Sequence, residues 1–211
     1  MNGNYFDYAA ATPLNEDVLE AMLPFFAGSF YNPSATYGLS RGVRKDINDA
    51  RSKVALVLGA KPSEIVFTAG ATEANNMAIQ GVMRRYSGSK IAHSAIEHDS
   101  VRRVAEQFDH IELPVLSSGL LDYEKSLHPL TDDVVLISVM LANNEIGTIQ
   151  SVRRLTQMVN AVREERKKKG VSLPLYLHTD AAQASNYLDL HVSRLGVDLM
   201  SLNGGKMYGP K

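Results

Sequence analysis

The sequence predicts an α/β protein: three layers, α/β/α, around a mostly parallel central sheet. Three observations carry this. Short apolar runs alternate with longer segments of helical period along the whole chain. The strongest run, residues 134–141, is apolar on both faces, as a strand covered by helices on either side must be. Cap and stop residues bound several of the helical segments. Strands separated by helices are the pattern of a parallel sheet in a layered domain.

The elements follow in order. Asn15 precedes Glu16 and Asp17, a cap residue followed by acids that suit the start of a helix. Val18, Leu19, Met22, Leu23 and Phe26 then fall at helical spacing, and Gly28 ends the run. A second helix is predicted over 38–58, with Val43, Ile47, Ala50, Val54 and Leu58 as its stripe and Gly59 as its stop. Residues 64–68 predict a short buried strand, and 69–73 turn into a helix that runs to about Arg85. A strand over 91–94, a helix over 99–108 and a strand over 111–116 come next, then a turn at Ser117, Ser118 and Gly119. The run at 134–141 leads to an amphipathic helix over 152–168, and strands follow at 175–179 and 197–202. Residues 1–14 are expected to be an N-terminal segment and 15–211 one layered domain.

Composition narrows the function. Among 211 residues, 22 Lys and Arg face 23 Asp and Glu, for a net charge of −1. This argues against a nucleic-acid binder held by bulk charge. The sequence contains no Cys, which excludes disulfides, thiolate metal sites and a cysteine nucleophile supplied by these residues. No stretch reaches the ~18 consecutive apolar residues of a membrane helix. Met1 to Tyr8 has neither a basic nor an apolar leader region, which argues against a secretory signal and for a cytoplasmic location. The basic run 163–169, which includes two Glu, is expected to be the solvated last turn of a helix rather than a nucleic-acid patch.

Five motifs could carry chemistry. At Phe67-Thr68-Ala69-Gly70-Ala71-Thr72-Glu73 a strand passes through small residues into a helix start. Free N–H groups and the Thr72 hydroxyl there suit a phosphate. Alone, the same turn fits a tight connection capped by Thr72, and no Walker lysine follows. Glu97-His98 stands just after a strand; a metal site built from His93, Glu97 and His98 fits no helical ligand spacing. Asn143-Asn144-Glu145-Ile146-Gly147-Thr148 follows the central run, where open α/β sheets bind ligands, although a turn role fits equally well. Asp180, in His178-Thr179-Asp180-Ala181-Ala182-Gln183, ends another strand and could cap a helix or pair with a protonated ring nitrogen. Lys206, after Asn203-Gly204-Gly205, is either a turn lysine or an amine nucleophile. Together, a phosphate turn, a ring-facing His, a strand-end acid and a later Lys are the parts of a pyridoxal 5′-phosphate site.

With these residues in place the sequence resembles the cysteine desulfurases, within the class V aminotransferase group of fold-type I pyridoxal-phosphate enzymes. The resemblance runs from the block at Tyr5 to that at Tyr208-Gly209-Pro210-Lys211. Residues 65–76, 143–150 and 198–211 are its most specific parts, and Asn143-Asn144-Glu145-Ile146-Gly147 points to the desulfurase branch. It implies Lys206 as the Schiff-base lysine, Asp180 as partner of the pyridine nitrogen, and His98 as the residue that stacks on the ring and assists proton transfer. It implies Ala71 and Thr72 at the phosphate, Asn144 and Gln183 at the phenolic oxygen, and Asn32 at the substrate carboxylate. Where the family has Ser-Gly-His-Lys this chain has Asn203-Gly204-Gly205-Lys206, so Asn203 keeps a phosphate donor and Gly205 loses one. Tyr37 stands where many members have His.

The resemblance further implies a reaction that converts L-cysteine to L-alanine and passes sulfur to an acceptor protein as a persulfide, for iron–sulfur cluster or thiolation pathways. It implies a homodimer. It also implies a longer protein, of which these residues are an incomplete large domain without the small domain or the catalytic cysteine. Another class V activity, such as a selenocysteine lyase or aminotransferase, is the alternative within enzymes. A non-catalytic cofactor-binding or scaffold fragment is the alternative outside them.

Overall fold

The computed structural model describes residues 4–127 and 130–210. Met1–Gly3 of the leader region and Lys211, the last residue of the C-terminal motif, lie outside them. The chain forms two compact units. One comprises the described parts of Met1–Phe67, His191–Ser193 and Gly204–Lys211, and the other Thr68–Leu190 and Arg194–Asn203.

The first unit holds α1 (Glu16–Ala27) and α2 (Gly38–Leu58), both where the sequence predicts them. The Asn15 side chain caps α1 by accepting from the N–H groups of Asp17 and Val18. Its apolar stripe is present but no α1 residue is buried, and Phe26 is 69% exposed. In α2, Val43, Ala55 and Leu58 are buried, and Gly59 takes the left-handed conformation that ends the helix. The strand expected over 64–68 does not form. Pro62–Glu64 make a turn of 3₁₀ helix, and 65–68 pair with no strand among the described residues. Arg51 accounts for part of this: its guanidinium donates to the Ile65 carbonyl and lies 4.9 Å from the Phe67 ring centroid. Val66 and Phe67 are exposed, so the apolar content that suggested a buried strand lies on the surface.

The second unit is the layered domain. Its strands are β1 (Lys90–Ser94), β2 (His110–Leu113), β3 (Val134–Ser138), β4 (Tyr176–Asp180) and β5 (Leu199–Ser201). They form one all-parallel sheet in the order β2-β1-β3-β4-β5. Every residue of β3 is buried, as expected of the central strand. Helices cover both faces. Ile79 and Met83 of α3 (Ala71–Arg85) and Val101, Val104 and Ala105 of α4 (Asp99–Ala105) pack with Ile91, Val135 and Leu136. Leu155 and Val159 of α6 (Val152–Lys168) pack with Ala92, Ile137 and Leu177 in a second cluster, against which Tyr123 of α5 (Tyr123–Leu127) rests. The predicted helix over 99–108 is shorter than its pattern. The short helices α5 and α7 (Val192–Leu195) were not legible in the periodicity.

The basic run corrects one expectation. Arg166 is 3% exposed rather than solvated. It donates to the carbonyls of Val134 and Thr131, both at 2.7 Å, and so ties the last turn of α6 to the start of β3. Arg163 is engaged with the Leu175 carbonyl and with Asp198.

Candidate active site

In a parallel sheet all carboxyl ends lie on one edge, so the loops that follow the strands gather there. The order β2-β1-β3 makes β1 and β3 the point where successive connections leave in opposite directions, and ligands bind in the crevice at such a point. Glu97 bridges this point. Its Oε1 accepts from Ser94 Oγ at the end of β1 (2.5 Å) and from the Met140 N–H beyond β3 (2.7 Å). Burial pushes its carboxyl up to about 8, and the charge of Asp180 adds to the effect. At neutral pH Glu97 is therefore mainly a neutral acid that staples two loops.

Asp180 ends β4 and is 6% exposed. Its Oδ1 accepts from the Ala182 N–H at 2.9 Å and its Oδ2 from Asn75 Nδ2 at 2.7 Å. One predicted alternative, a helix cap, is thus realised only as a local turn, since no helix begins at Ala181. Two residues back, on the same face of β4, His178 sits between Ser138 Oγ (2.8 Å) and Ser201 Oγ (3.0 Å). Burial pushes its ring down to about 4, so it is neutral and holds β3, β4 and β5 together.

His98 is the N-cap of α4. Its Nδ1 accepts from the Ser100 N–H at 3.0 Å, which leaves the ring proton of the neutral form on Nε2. His93 is stacked on His110 at 5.6 Å, and no group of three or more His, Asp or Glu among the described residues could hold a metal.

The turn at 67–73 leads into α3 with two corrections: no strand precedes it among the described residues, and the N-cap of α3 is Gly70, with Thr72 in the first turn. Gly70 has φ 156°, a conformation that side chains disfavour, and contributes no side-chain cap. The first N–H groups of α3 therefore need an external acceptor. Glu73 Oε2 reaches back to the Ala69 N–H at 2.5 Å and fixes the turn.

In the loop after β3, Asn143 is committed to structure. Its Nδ2 donates to the Ile96 carbonyl (3.0 Å) and its Oδ1 accepts from Glu145 and Ile146 N–H groups (2.8 and 3.0 Å). Asn144 is exposed beside it. Thr148 Oγ1 donates to the Ser118 carbonyl and Gln150 Nε2 to that of Gly119, which docks the loop on the Ser117–Gly119 turn. Gln183 and Asn203 belong to this unit and are half-buried.

Lys206 and Asn32 belong to the first unit. Lys206 closes a 3₁₀ turn, Gly204–Lys206, held by the N-terminal segment. Thr12 donates through both N–H and Oγ1 to the Gly205 carbonyl and accepts from the Tyr208 N–H. Tyr208 has φ 61°, a left-handed conformation for a bulky residue, and the Asn15 N–H donates to its carbonyl. Asn32 is exposed and uses its Oδ1 to cap a turn at Ser34.

Sequence reasoning missed Asn75. The signal was present: it is a polar residue in the buried series Ala71, Asn75, Ile79, Met83 of α3.

The fold and the strand-end acid beside a helix start define a class. The chain matches the class-V aminotransferase family over residues 4–211 and belongs to it. Members of this family are pyridoxal-phosphate enzymes. Among relatives, the cysteine desulfurase IscS of Dictyoglomus turgidum is 41% identical over 98% of this chain and 52% of its own length. A solved structure described as SspA in complex with cysteine superposes with a TM-score of 0.88 and 36% identity, covering 99% of this chain and 59% of the other. A NifS-like protein superposes with a TM-score of 0.86 and 33% identity, covering 98% and 56%. The chain spans about half the length of the relatives it matches.

The donors and acceptors of the second unit fit pyridoxal phosphate. An anion acceptor is called for at the start of α3, and Asp180 is a buried carboxylate with lone pairs beyond its two donors.

Proposed function

We propose that the chain is the cofactor-binding part of a cysteine desulfurase, an enzyme that removes sulfur from L-cysteine, leaves L-alanine and passes the sulfur to an acceptor protein. The observation that carries the reading is Asp180, a buried carboxylate at the end of β4. It stands one strand from the crevice between β1 and β3, in a chain similar along nearly its whole length to desulfurases.

Each residue has a task under this reading. The N–H groups at the start of α3, with the Thr72 hydroxyl and Asn203, bind the phosphate. Asp180 holds a proton on the pyridine nitrogen. His98 lies against the ring and presents an Nε2 proton. Asn144 and Gln183 contact the phenolic oxygen, and Asn32 orients the substrate carboxylate. Lys206 would hold the cofactor through its amine and would move a proton at the substrate α-carbon. When bound, the cofactor supplies an electron sink for the charge left at the α-carbon. The sulfur nucleophile must come from a thiol outside these 211 residues, which contain no Cys. A homodimer and a cytoplasmic location belong to the same proposal. No described helix is long and apolar enough to cross a membrane.

Titration of the purified chain with pyridoxal phosphate is expected to give a visible absorbance band that Lys206→Ala abolishes. L-alanine is expected from L-cysteine only when a polypeptide covering the other half of a relative is added. A wild-type chain with no band, or sulfide release by the chain alone, contradicts the proposal.

A further inference from the structure

The acid of β4 and the imidazole of α4 are joined through one buried amide. Asn75 is fully buried on α3. Its Nδ2 donates to Asp180 Oδ2 at 2.7 Å and to Ser100 Oγ at 2.9 Å. Ser100 Oγ in turn lies 2.8 Å from His98 Nδ1. The polarity of this chain follows from its two ends. An ionised Asp180 can only accept, so the atom facing it is the amide nitrogen rather than the oxygen. That nitrogen's second hydrogen occupies the Ser100 oxygen, so the serine hydroxyl directs its own hydrogen at His98 Nδ1. The Ser100 backbone N–H points at the same lone pair, 3.0 Å away.

We propose that Asn75 is a positioning residue that sets Asp180 and His98 together. One side chain fixes the carboxylate rotamer and, by turning the Ser100 hydroxyl toward His98 Nδ1, adds a second donor beside the Ser100 backbone N–H, which reinforces the rotation of His98 and the tautomer with the proton on Nε2. The inference rests on the assignment of Asp180 and His98 to the cofactor for its purpose, but not for its geometry. The geometry follows from four residues of one unit. A fully buried amide needs such a function to offset its cost: its Oδ1 has no hydrogen-bond partner, and an apolar residue there would continue the packing of Ile79 and Met83.

The test is the tautomer of His98, read from imidazole nitrogen shifts of the chain without cofactor and assigned with His98→Gln. In the wild type the Nε2–H form is expected to dominate. Asn75→Ala and Ser100→Ala are each expected to raise the Nδ1–H fraction, whereas Ser100→Thr, which keeps the hydroxyl, is not. Pyridoxal phosphate affinity is expected to fall about tenfold to a hundredfold in Asn75→Ala, the range for a lost hydrogen bond to a charged group. An unchanged His98 tautomer in both alanine variants overturns the proposal. If Asn75→Ala does not fold, Ser100→Ala decides it alone. A tautomer shift in a chain that never binds pyridoxal phosphate upholds the hydrogen-bond chain and defeats the cofactor reading.

Discussion

Thr12 and Gly205 stand 193 residues apart in sequence and are joined by two hydrogen bonds of 3.1 Å from the threonine N–H and Oγ1 to the glycine carbonyl. Gly205 directly precedes Lys206, so the N-terminal segment sets the backbone on which the lysine is carried. Thr12→Val keeps the shape and removes the hydroxyl, leaving the Tyr208 N–H without its acceptor. A stability loss of about 1–3 kcal/mol is expected, seen as a lower denaturant midpoint. Thr12→Ser should recover most of it, and an unchanged midpoint in Thr12→Val would refute the role.

Glu97 predicts a pH dependence. Its folded pKa is about 8, against an ordinary 4.5. Between these values the unfolded chain releases the proton and the folded chain keeps it, so stability falls as pH rises. His178 works the other way. Its ring is pushed down to about 4 from 6.5, so its contribution is lost as pH falls through that range. The interval from 6.5 to 8 therefore isolates Glu97. Glu97→Gln keeps an oxygen for Ser94 and Met140, and is expected to flatten the decline of the unfolding midpoint across that interval. An undiminished slope would show that another group carries it.

Arg166 predicts a strong asymmetry within the basic run. Arg166→Met removes two charge-assisted bonds, to the Val134 and Thr131 carbonyls, for an expected loss of about 3 kcal/mol. Lys168→Met, at an exposed position, is expected to change stability by less than about 0.5 kcal/mol. Equal losses by thermal unfolding would place both side chains in solvent.

Gly119 has φ 78°, and a Cβ there would lie 2.4 Å from Ile146 Cδ1 and 2.8 Å from Thr148 Oγ1. Gly119→Ala is therefore expected to lose more than about 1 kcal/mol and to undock the loop that carries Asn144. Faster amide exchange confined to residues 143–150 would report it, whereas wild-type protection there would rule out the docking role.

The helices were the most legible part of the sequence. Asn15 as cap, Gly59 as stop and the period of 152–168 are local signals, and the observed ends of α1, α2 and α6 fall on them. Residues 65–68 show the limit of such reasoning. Their apolar content reads as a strand, but a strand exists only when another backbone pairs with it, and Arg51 takes the Ile65 carbonyl instead. The role of Arg166 was illegible for a related reason. A basic side chain on a helix looks solvated until a distant carbonyl is brought against it.

By itself the sequence determined the layered α/β class, the family and the residue types that suit the cofactor, because period, caps and motif spacing are properties of a chain. Tertiary structure alone decided that Glu97 is a neutral staple between β1 and β3, and that Asn75 joins Asp180 to His98. Both depend on burial and on contacts across 43 and 105 residues of sequence. Desolvation and hydrogen-bond partners arise only when separate segments share one low-dielectric space.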